Sequence, residues 1–527
     1  MFNLIVAVDS KNGIGYKNTI PWKCPVDMKH FYDTTTGHII IMGGNTYKSL
    51  GKPLKNRIHI VFTRNKSNDD KSNENKLNND IFYVSDLPEC LDLCDKICKQ
   101  YKDKKLFVIG GEQIYKLFLT HDLISTVYLS KVSDKCQMPV LDLNQSVPDL
   151  NQSVPDLNQS SNIMDITEYK IIECDTYFNY EFGTQWKCEI ILQDPTVVVK
   201  KYTTINYEER AYLNLLKEIL LYGHKVQDRT ATGTLSLFGK RLEFDLSNNQ
   251  FPLCTTRKLF FRGIFEELML ILRGQTNSKI LEEKQVNVWK GNTSREFLDS
   301  RKLNHLPVGD MGHSYGFSMR HFGGEYENCL TDYTKCRCLC NCLCDCGCNG
   351  NEPCIGECKN GCKNKPCPKN GFDQLKYLID TIKSDPSSRR LRISLWEPNK
   401  MHLAALPPCL EQYQFNIQGN HISCMMTQRS SDYFLAGGWN IATGALLTYL
   451  IGAVCNLTPH RLIWNIGDVH IYNNLVEQSR ELIKREPYKY PKLFIKKVRA
   501  DITDYQFSDL QLFGYDHHLA LSGAMSV

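Results

Sequence analysis

The sequence predicts an α/β domain followed by a larger α+β domain, and three observations lead there. Residues 1–135 alternate short apolar runs with helical stretches. From Asn206 onward, long helical patterns alternate with strands. The length of 527 residues exceeds what one hydrophobic core supports.

The first domain, 1–193, is built on LIVAV at 4–8, HIIIMG at 38–43, RIHIVF at 57–62, KLFVIGG at 105–111 and TVYLSKV at 126–132. Continuous runs of this kind read as strands buried on both faces. The polar stretch at 65–80 reads as a surface loop. A seven-residue repeat, DLNQSVP at 142–148 and 149–155 with DLNQS at 156–160, is too short and too few for a solenoid, so 142–160 reads as a low-complexity insertion. A last strand pair is expected from YKIIECDTYF and WKCEIIL. A short junction over 194–204, opened by Pro195, follows it.

The second domain, 205–527, begins with the helical pattern ERAYLNLLKEILLYG, stopped by Gly223. Amphipathic segments at 262–274, 372–384, 441–455 and 473–485 follow, with strands such as QYQFNI and HISCMM between them. A cysteine-rich segment, 328–370, interrupts the domain.

Composition narrows the function classes. A hydrophobic share of 42% and a charged share of 23% are ordinary for a globular chain in water. The net charge of +5, from 63 basic and 58 acidic residues, is too even for a nucleic-acid coat, so no specific nucleic acid is expected and local cations read as seats for small anions. No apolar run approaches the roughly 20 residues of a membrane helix. MFNLIVAV meets Asp9 at once and reads as a buried first strand rather than a signal peptide. Of 23 cysteines, 12 lie between Cys329 and Cys367 and the rest are scattered, which points to a reducing compartment and a cytoplasmic location.

Three N-terminal motifs carry chemistry: GIGYKNTIPWKCPVDMKHF (13–31), IMGGNTYKSLGKPL (41–54) and FVIGGEQIY (107–115). Alone, Asp27 reads as a first-turn acid favoured by the helix dipole. Gly110-Gly111 alone reads as a turn, though glycines there let backbone N–H groups approach a pyrophosphate at a helix N-terminus. In this order and spacing, the motifs resemble dihydrofolate reductase over about residues 1–193. The resemblance implies a central mixed, mostly parallel sheet and makes Asp27 the catalytic acid group, supported by Ser130. It assigns folate to Asp27, Phe31 and Arg57, the last gripping a carboxylate in the bidentate way guanidinium suits. It assigns NADPH to Ala7, Ile14, Gly15, Gly43, Thr46, Thr63, Arg64, Gly110, Gly111, Glu112, Gln113, Ile114 and Tyr115. The chain departs from the family at Gly44, where Arg is common, leaving Lys48 or Arg64 as the nearby cations. The aromatic-Pro segment after YLSKV is reduced to CQMP.

The C-terminal blocks are DRTATGTLSLFG (228–239), RGQTN (273–277), DPSSRRLRISLW (385–396), LPPC (406–409), QRSSDYF (428–434), WNIATG (439–444) and DVHIYNN (468–474). Together they resemble thymidylate synthase over nearly all of 205–527. The resemblance implies that the thiolate of Cys409 adds to uracil carbon 6, activating carbon 5 toward the one-carbon unit of 5,10-methylenetetrahydrofolate. A thiol with an ordinary pKa of about 8.5 needs a nearby cation, and Arg429 is assigned that task. A buried inert cysteine is the usual reading of a lone Cys, and it suits Cys424 and Cys455. The dUMP site is carried over to Arg229, Arg389, Arg390, Gln428, Arg429, Ser430, Ser431, Asp432, Asn440, His470 and Tyr472. Asn440 is the specificity residue, because an amide matches the uracil edge and opposes that of cytosine. Glu267 and Tyr315 would manage protons, and Trp289 and Asp432 would face the folate. In the family Arg389 and Arg390 reach into a partner subunit, which implies a homodimer through the synthase domain. The departures are Leu410 after the nucleophile, where the family has His; Ser431, where RSCD has become RSSD; LAGGWN (435–440) for LGLPFN; and GHSYG, with His313 and Ser314, for GPxYG.

Cysteines alternate from Cys336 to Cys348 in the insertion. That spacing suits a soft cation, zinc or Cu(I); the competing reading, given the greater weight, is an expanded low-complexity loop without a selected role, and no metal ligand is assigned. As a pair, the two domains resemble the bifunctional dihydrofolate reductase–thymidylate synthase family. Two alternatives accompany this reading. The second half could act as a pyrimidine nucleotide hydroxymethylase, or as a catalytically weakened nucleotide- or RNA-binding scaffold.

Overall fold

The computed structural model describes residues 1–64, 80–136, 173–227, 232–333 and 370–523. The DLNQSVP repeat, most of the polar stretch at 65–80 and nearly all of the cysteine-rich insertion lie outside the described residues. The chain divides into two units, Met1–Asn206 and Tyr207–Val527.

The first unit is an eight-stranded sheet. Its strands are β1 (Phe2–Val8), β3 (Ile39–Gly43), β4 (Ile58–Phe62), β5 (Ile81–Val84), β6 (Leu106–Gly110), β7 (Ile124–Val132), β9 (Trp186–Asp194) and β10 (Val197–Thr204). Two short strands, β2 (Gly13–Gly15) and β8 (Thr176–Tyr177), pair with each other outside it. The order is β5-β4-β3-β6-β1-β7-β10-β9; all pairs from β5 to β7 are parallel, and β10 is antiparallel to both neighbours. Ile39, Ile40, Ile41 and Met42 are all at 0% exposure, which is why this run carries no polar alternation. The helices α1 (Pro25–Thr35), α2 (Gly44–Ser49), α3 (Leu87–Gln100) and α4 (Glu112–Thr120) connect the strands. The chain leaves β3 toward β4 and leaves β6 toward β7, in opposite directions across the sheet. That reversal opens a crevice at their carboxyl ends.

Two expectations for this unit are corrected. Residues 194–204 are not a junction. Asp194 Oδ1 accepts from the N–H of Thr196 at 2.9 Å and from its hydroxyl at 2.5 Å, so Asp-Pro-Thr forms a tight turn. β10 then returns against β7, with Val197 and Val199 buried. The expected last strand pair also differs: Thr176–Tyr177 pairs with β2, and WKCEIIL pairs with β10 instead. Strand β5 was hidden by its shortness, since four residues at a sheet edge give little periodicity.

The second unit is built on a six-stranded sheet of β11 (His224–Val226), β12 (Thr234–Asp245), β13 (Arg392–Ser394), β14 (Leu410–Gln418), β15 (His421–Asp432) and β16 (Thr458–Tyr472), in the order β11-β12-β16-β15-β14-β13. Its helices are α5 (Tyr207–Tyr222), α6 (Phe261–Leu272), α7 (Lys279–Glu282), α8 (Arg295–Ser300), α9 (Tyr315–Arg320), α10 (Gln374–Ser384), α11 (Gly437–Val454) and α12 (Val476–Leu482). β15 and β16 are parallel, joined through α11, which packs on both. The expected amphipathic segment at 441–455 is a correction: α11 is buried on every side, including Ala442, Leu446, Leu447 and Leu450 at 0% exposure. A helix apolar all round belongs inside a core. Strands β14 and β15 and helices α5, α6, α10 and α12 fall where periodicity placed them.

Candidate active sites

In the first unit, the residues expected at NADPH gather at the carboxyl ends of parallel strands. Ala7 lies at the end of β1 and Ile14 and Gly15 on β2 just beyond it. Gly43 and Thr46 follow β3, Thr63 and the exposed Arg64 follow β4, and Gly110–Tyr115 follow β6. Glycine leaves room here for close approach. A Cβ on Gly43 would come within 3.3 Å of Ile114 Cγ1, one on Gly111 within 3.3 Å of Thr46 Oγ1, and Gly110 has φ +135°. Gly111 is the N-cap of helix α4 and supplies no side-chain cap, while its carbonyl takes the N–H groups of Ile114 and Tyr115; an anion there would meet the N–H groups of Glu112 and Gln113. These residues fit a dinucleotide phosphate cradle. Tyr115 differs from its neighbours: its hydroxyl sits between the carbonyls of Ile5 (2.9 Å) and Ile109 (2.8 Å), so its ring braces β1 against β6.

Asp27 lies in the first turn of α1, opened by Pro25. Burial pushes its carboxyl up to about 6, opposed by a hydrogen bond from Ser130, which favours the ionised form. Ser130 is 1% exposed on β7, beside Ala7 of β1 and Val199 of β10. Trp22 packs with Cys24, Val132 and Val199, and Phe31 packs against the cluster of Ile5, Ile40 and Leu54. Arg57 is 3% exposed. Its Nε donates to Thr35 Oγ1 (3.0 Å), Nη1 to the Lys55 carbonyl (2.8 Å) and Nη2 to the Tyr32 carbonyl (3.3 Å). None of these acceptors carries charge, and burial lowers the affinity of the guanidinium for its proton. A held cation with neutral neighbours can pair with an incoming carboxylate. Thr35 and Tyr32 were not expected here; nothing in their residue types marks them.

In the second unit, Cys409 immediately precedes β14. Its N–H donates to the Tyr315 hydroxyl at 2.8 Å, and its carbonyl accepts from Arg429 N at 3.0 Å. The Arg429 side chain donates from Nε to the Pro408 carbonyl (2.9 Å) and from Nη2 to the Pro407 carbonyl (3.2 Å), which brings Nη2 to 3.8 Å from Cys409 Sγ. Its guanidinium also lies 5.4 Å from the centre of the Trp396 ring. The Pro-Pro pair thus supplies carbonyls freed from sheet pairing, a role the sequence did not disclose.

Asn440 stands in the first turn of α11 and donates to Gln428 Oε1 at 3.4 Å. Its remaining N–H and its carbonyl oxygen are the donor and acceptor that a uracil edge requires. Ser430 pairs in register with Asp468, and Asp432 with His470. Ser431 is 3% exposed and its hydroxyl has no hydrogen-bond partner among the described residues, which marks a hydroxyl where the family carries a thiol. Burial raises the pKa of Asp432, offset by the N–H of Leu435. His470 and Tyr472 lie two apart on β16, so they share a face, with ring centres 5.3 Å apart. His470 Nδ1 donates to Asp468 Oδ1 at 2.6 Å, and Ser236 steadies the other oxygen of Asp468 at 3.0 Å.

Glu267 lies on α6 and accepts from the indole of Trp289 at 2.7 Å; burial raises its pKa. A cavity of about 70 Å³ is bounded by Glu267, Tyr315, Leu410, Gln428, Asn440 and Thr443. Leu410 therefore puts a hydrocarbon wall where the family has an imidazole. His313 is fully buried, with Nε2 2.9 Å from Glu397 Oε1. Arg389 and Arg390 are exposed in the turn before β13. Arg229 lies outside the described residues.

Comparison with known proteins follows the same division. The family Dihydrofolate reductase matches residues 1–169, and the family Thymidylate synthase matches residues 210–527. A bifunctional dihydrofolate reductase-thymidylate synthase of Paramecium tetraurelia is 34% identical over 100% of this chain and 99% of its own length. The Zea mays protein of that name is 32% identical over 100% and 97%, and the one from Plasmodium chabaudi 33% over 98% and 94%. Among the described residues no helix is long and apolar enough to cross a membrane, and no cluster of His, Cys, Asp and Glu is arranged to hold a metal. With both domains present in one chain and whole-length relatives of the same composition, this chain belongs to the bifunctional dihydrofolate reductase–thymidylate synthase family.

Proposed function

We propose that the second unit makes dTMP and dihydrofolate from dUMP and 5,10-methylenetetrahydrofolate, and that the first unit reduces that dihydrofolate with NADPH. The observation that carries this reading is the Arg429 guanidinium held 3.8 Å from the Cys409 sulfur. Two such charges attract by roughly 4 kcal/mol at an effective dielectric near 20, well above the roughly 1 kcal/mol of an exposed pair.

The Cys409 sulfur forms a bond to carbon 6 of the uracil ring, and the ring electrons move to carbon 5 and the neighbouring carbonyl. Asn440 holds that carbonyl, Glu267 takes part in the proton transfers, and His470 with Tyr472 holds the sugar hydroxyl. Carbon 5 takes the one-carbon unit and loses its proton, and the bond from that unit to the folate nitrogen breaks. A hydride from the tetrahydrofolate reduces the unit to methyl, and the sulfur–carbon 6 bond breaks to release Cys409, so each turnover oxidises one folate. In the reductase, NADPH supplies the hydride when bound. Asp27 binds the pterin amide face and holds a proton near the reacting nitrogen, while Arg57 anchors the glutamate carboxylate. Fusion matches one reductive event to each oxidative one. Arg389 and Arg390, exposed in this chain, complete the phosphate site of a partner subunit in a homodimer. Cysteine usage supports a cytoplasmic location.

The test is a pair of assays on the full chain. Cys409→Ser is expected to abolish dihydrofolate formation from dUMP and leave NADPH oxidation with dihydrofolate intact. Asp27→Asn is expected to do the reverse. Synthase activity surviving Cys409→Ser would refute the assignment. A product heavier by the mass of one oxygen would favour the hydroxymethylase reading.

A further inference from the structure

Glu267 receives a second indole. Trp439 Nε1 lies 2.6 Å from Glu267 Oε2, while Trp289 Nε1 lies 2.7 Å from Oε1. Trp439 stands in LAGGWN, where the thymidylate synthase pattern has Phe, so this contact belongs to the chain's own departure from that pattern. The ring is accommodated by Gly263 on α6, where a Cβ would come within 2.9 Å of Trp439 Cη2. Its backbone is fixed in the first turn of α11, where its carbonyl accepts from Thr443 Oγ1 at 3.0 Å. One helical turn thus carries both the base-reading Asn440 and a donor to Glu267.

An indole N–H can only donate. With one such donor on each oxygen, both bonds are strongest when the carboxylate is ionised. A proton on either oxygen leaves that oxygen a poorer acceptor, and the bond from its indole is weakened. Neither donor is charged, so they orient the group without neutralising it, unlike a lysine or arginine partner. Burial works in the other direction and favours the protonated acid.

We propose that Trp439 is a positioning residue of the synthase: with Trp289, it favours the ionised, proton-accepting form of the Glu267 carboxylate against burial and fixes it in one orientation at the pyrimidine pocket. This inference rests on the reading that Glu267 takes part in proton transfer.

The test is the pH dependence of synthase kcat in the full chain, for the wild type, Trp439→Phe, and a variant with β-(3-benzothienyl)alanine at 439. The last keeps the ring volume and replaces the N–H by sulfur. Loss of one donor to a charged group predicts a fall in kcat of about tenfold at mildly acidic pH, an acidic limb moved upward by about one unit, and KM for dUMP within about twofold. An unshifted limb in the benzothienyl variant overturns the inference, whether or not Trp439→Phe folds. Glu267→Gln is measured alongside. Its retaining full activity would overturn the proton-transfer reading and this inference together. Its loss of activity, with an unshifted limb at 439, would overturn only the role of Trp439.

Discussion

The guanidinium of Arg429 reaches the sulfur of Cys409 from a fixed direction, because the carbonyls of Pro407 and Pro408 hold it at 3.2 and 2.9 Å. Nε and Nη2 serve the three acceptors from two separate nitrogens, a spread that the single nitrogen of an ammonium does not reproduce. Arg429→Lys is therefore expected to lower synthase kcat by about a hundredfold, two fixed charge-assisted bonds being lost. It should also slow alkylation of Cys409 by iodoacetamide at neutral pH. An unchanged alkylation rate would mean that the cation does not activate the sulfur.

Asp27 gives a pH-dependent prediction for the reductase. Its carboxyl is raised from 3.8 to about 6 in the folded state. A group raised on folding contributes stability that is fully present below pH 4 and is lost as pH rises through about 6. The ionised carboxylate then weighs against the fold by up to about 3 kcal/mol. Asp27→Asn should thus unfold at higher urea concentration than wild type at pH 8 and show little difference at pH 4, while losing reductase activity. Ser130→Ala removes a donor to the ionised form, so the limb of the reductase pH profile set by Asp27 should move further upward.

The sequence marked the candidate ligand-binding residues better than the residues that hold them in place. Cys409, Arg429 and Asn440 stand in short blocks whose spacing survives any insertion elsewhere, and the β1, β3, β4 and β6 runs are nearly continuous Ile, Val and Leu. Thr35 and Tyr32 around Arg57, Ser236 behind Asp468, and the Pro407 and Pro408 carbonyls are set by tertiary placement, which no local pattern records. Residues 194–204 were misread for a related reason. Pro195 suggests a linker until Val197 and Val199 are seen to face a core formed by β7, more than sixty residues earlier.

His470 and Asp468 define a test of sugar recognition. The His470 ring holds the Asp468 carboxyl below its usual range, chiefly through the hydrogen bond between them. Asp468→Asn leaves the ring free to turn and to change tautomer. KM for dUMP is expected to rise about tenfold with kcat changed less than threefold, the size of one hydrogen bond to a charged group. The contribution of this depressed carboxyl to stability is present above pH 4 and is lost as pH falls. A kcat loss as large as the KM rise would place His470 in the chemistry rather than in binding.

Arg57 separates anchoring from chemistry in the first unit. It is expected to touch the folate tail only, so Arg57→Met should raise KM for dihydrofolate about a hundredfold and leave KM for NADPH unchanged. The methionine keeps the packing against Tyr32 and Phe31, whose ring centres lie 5.0 and 6.0 Å from the guanidinium. If a folate analogue lacking the glutamate tail binds wild type and variant equally, the cation serves the tail. If the variant also loses the analogue, Arg57 shapes the pterin pocket instead.

Arg389 and Arg390 decide whether the synthase site is shared. They are exposed before β13, whereas Arg429 is anchored at Cys409 within its own chain. If each site takes its nucleophile from one subunit and these arginines from the other, Cys409→Ser and Arg389→Ala/Arg390→Ala homodimers are both inactive in dTMP formation. Mixing them through reversible dissociation gives heterodimers in which one site has both an intact cysteine and intact arginines, while the other has neither. With equal amounts and random pairing, half the dimers are mixed and half of their sites work, so activity should recover to about a quarter of wild type. Recovery to that level requires a dimer with crossed sites. A mixture that stays inactive, although light scattering or labelled chains show exchange, would confine the phosphate site to a single subunit.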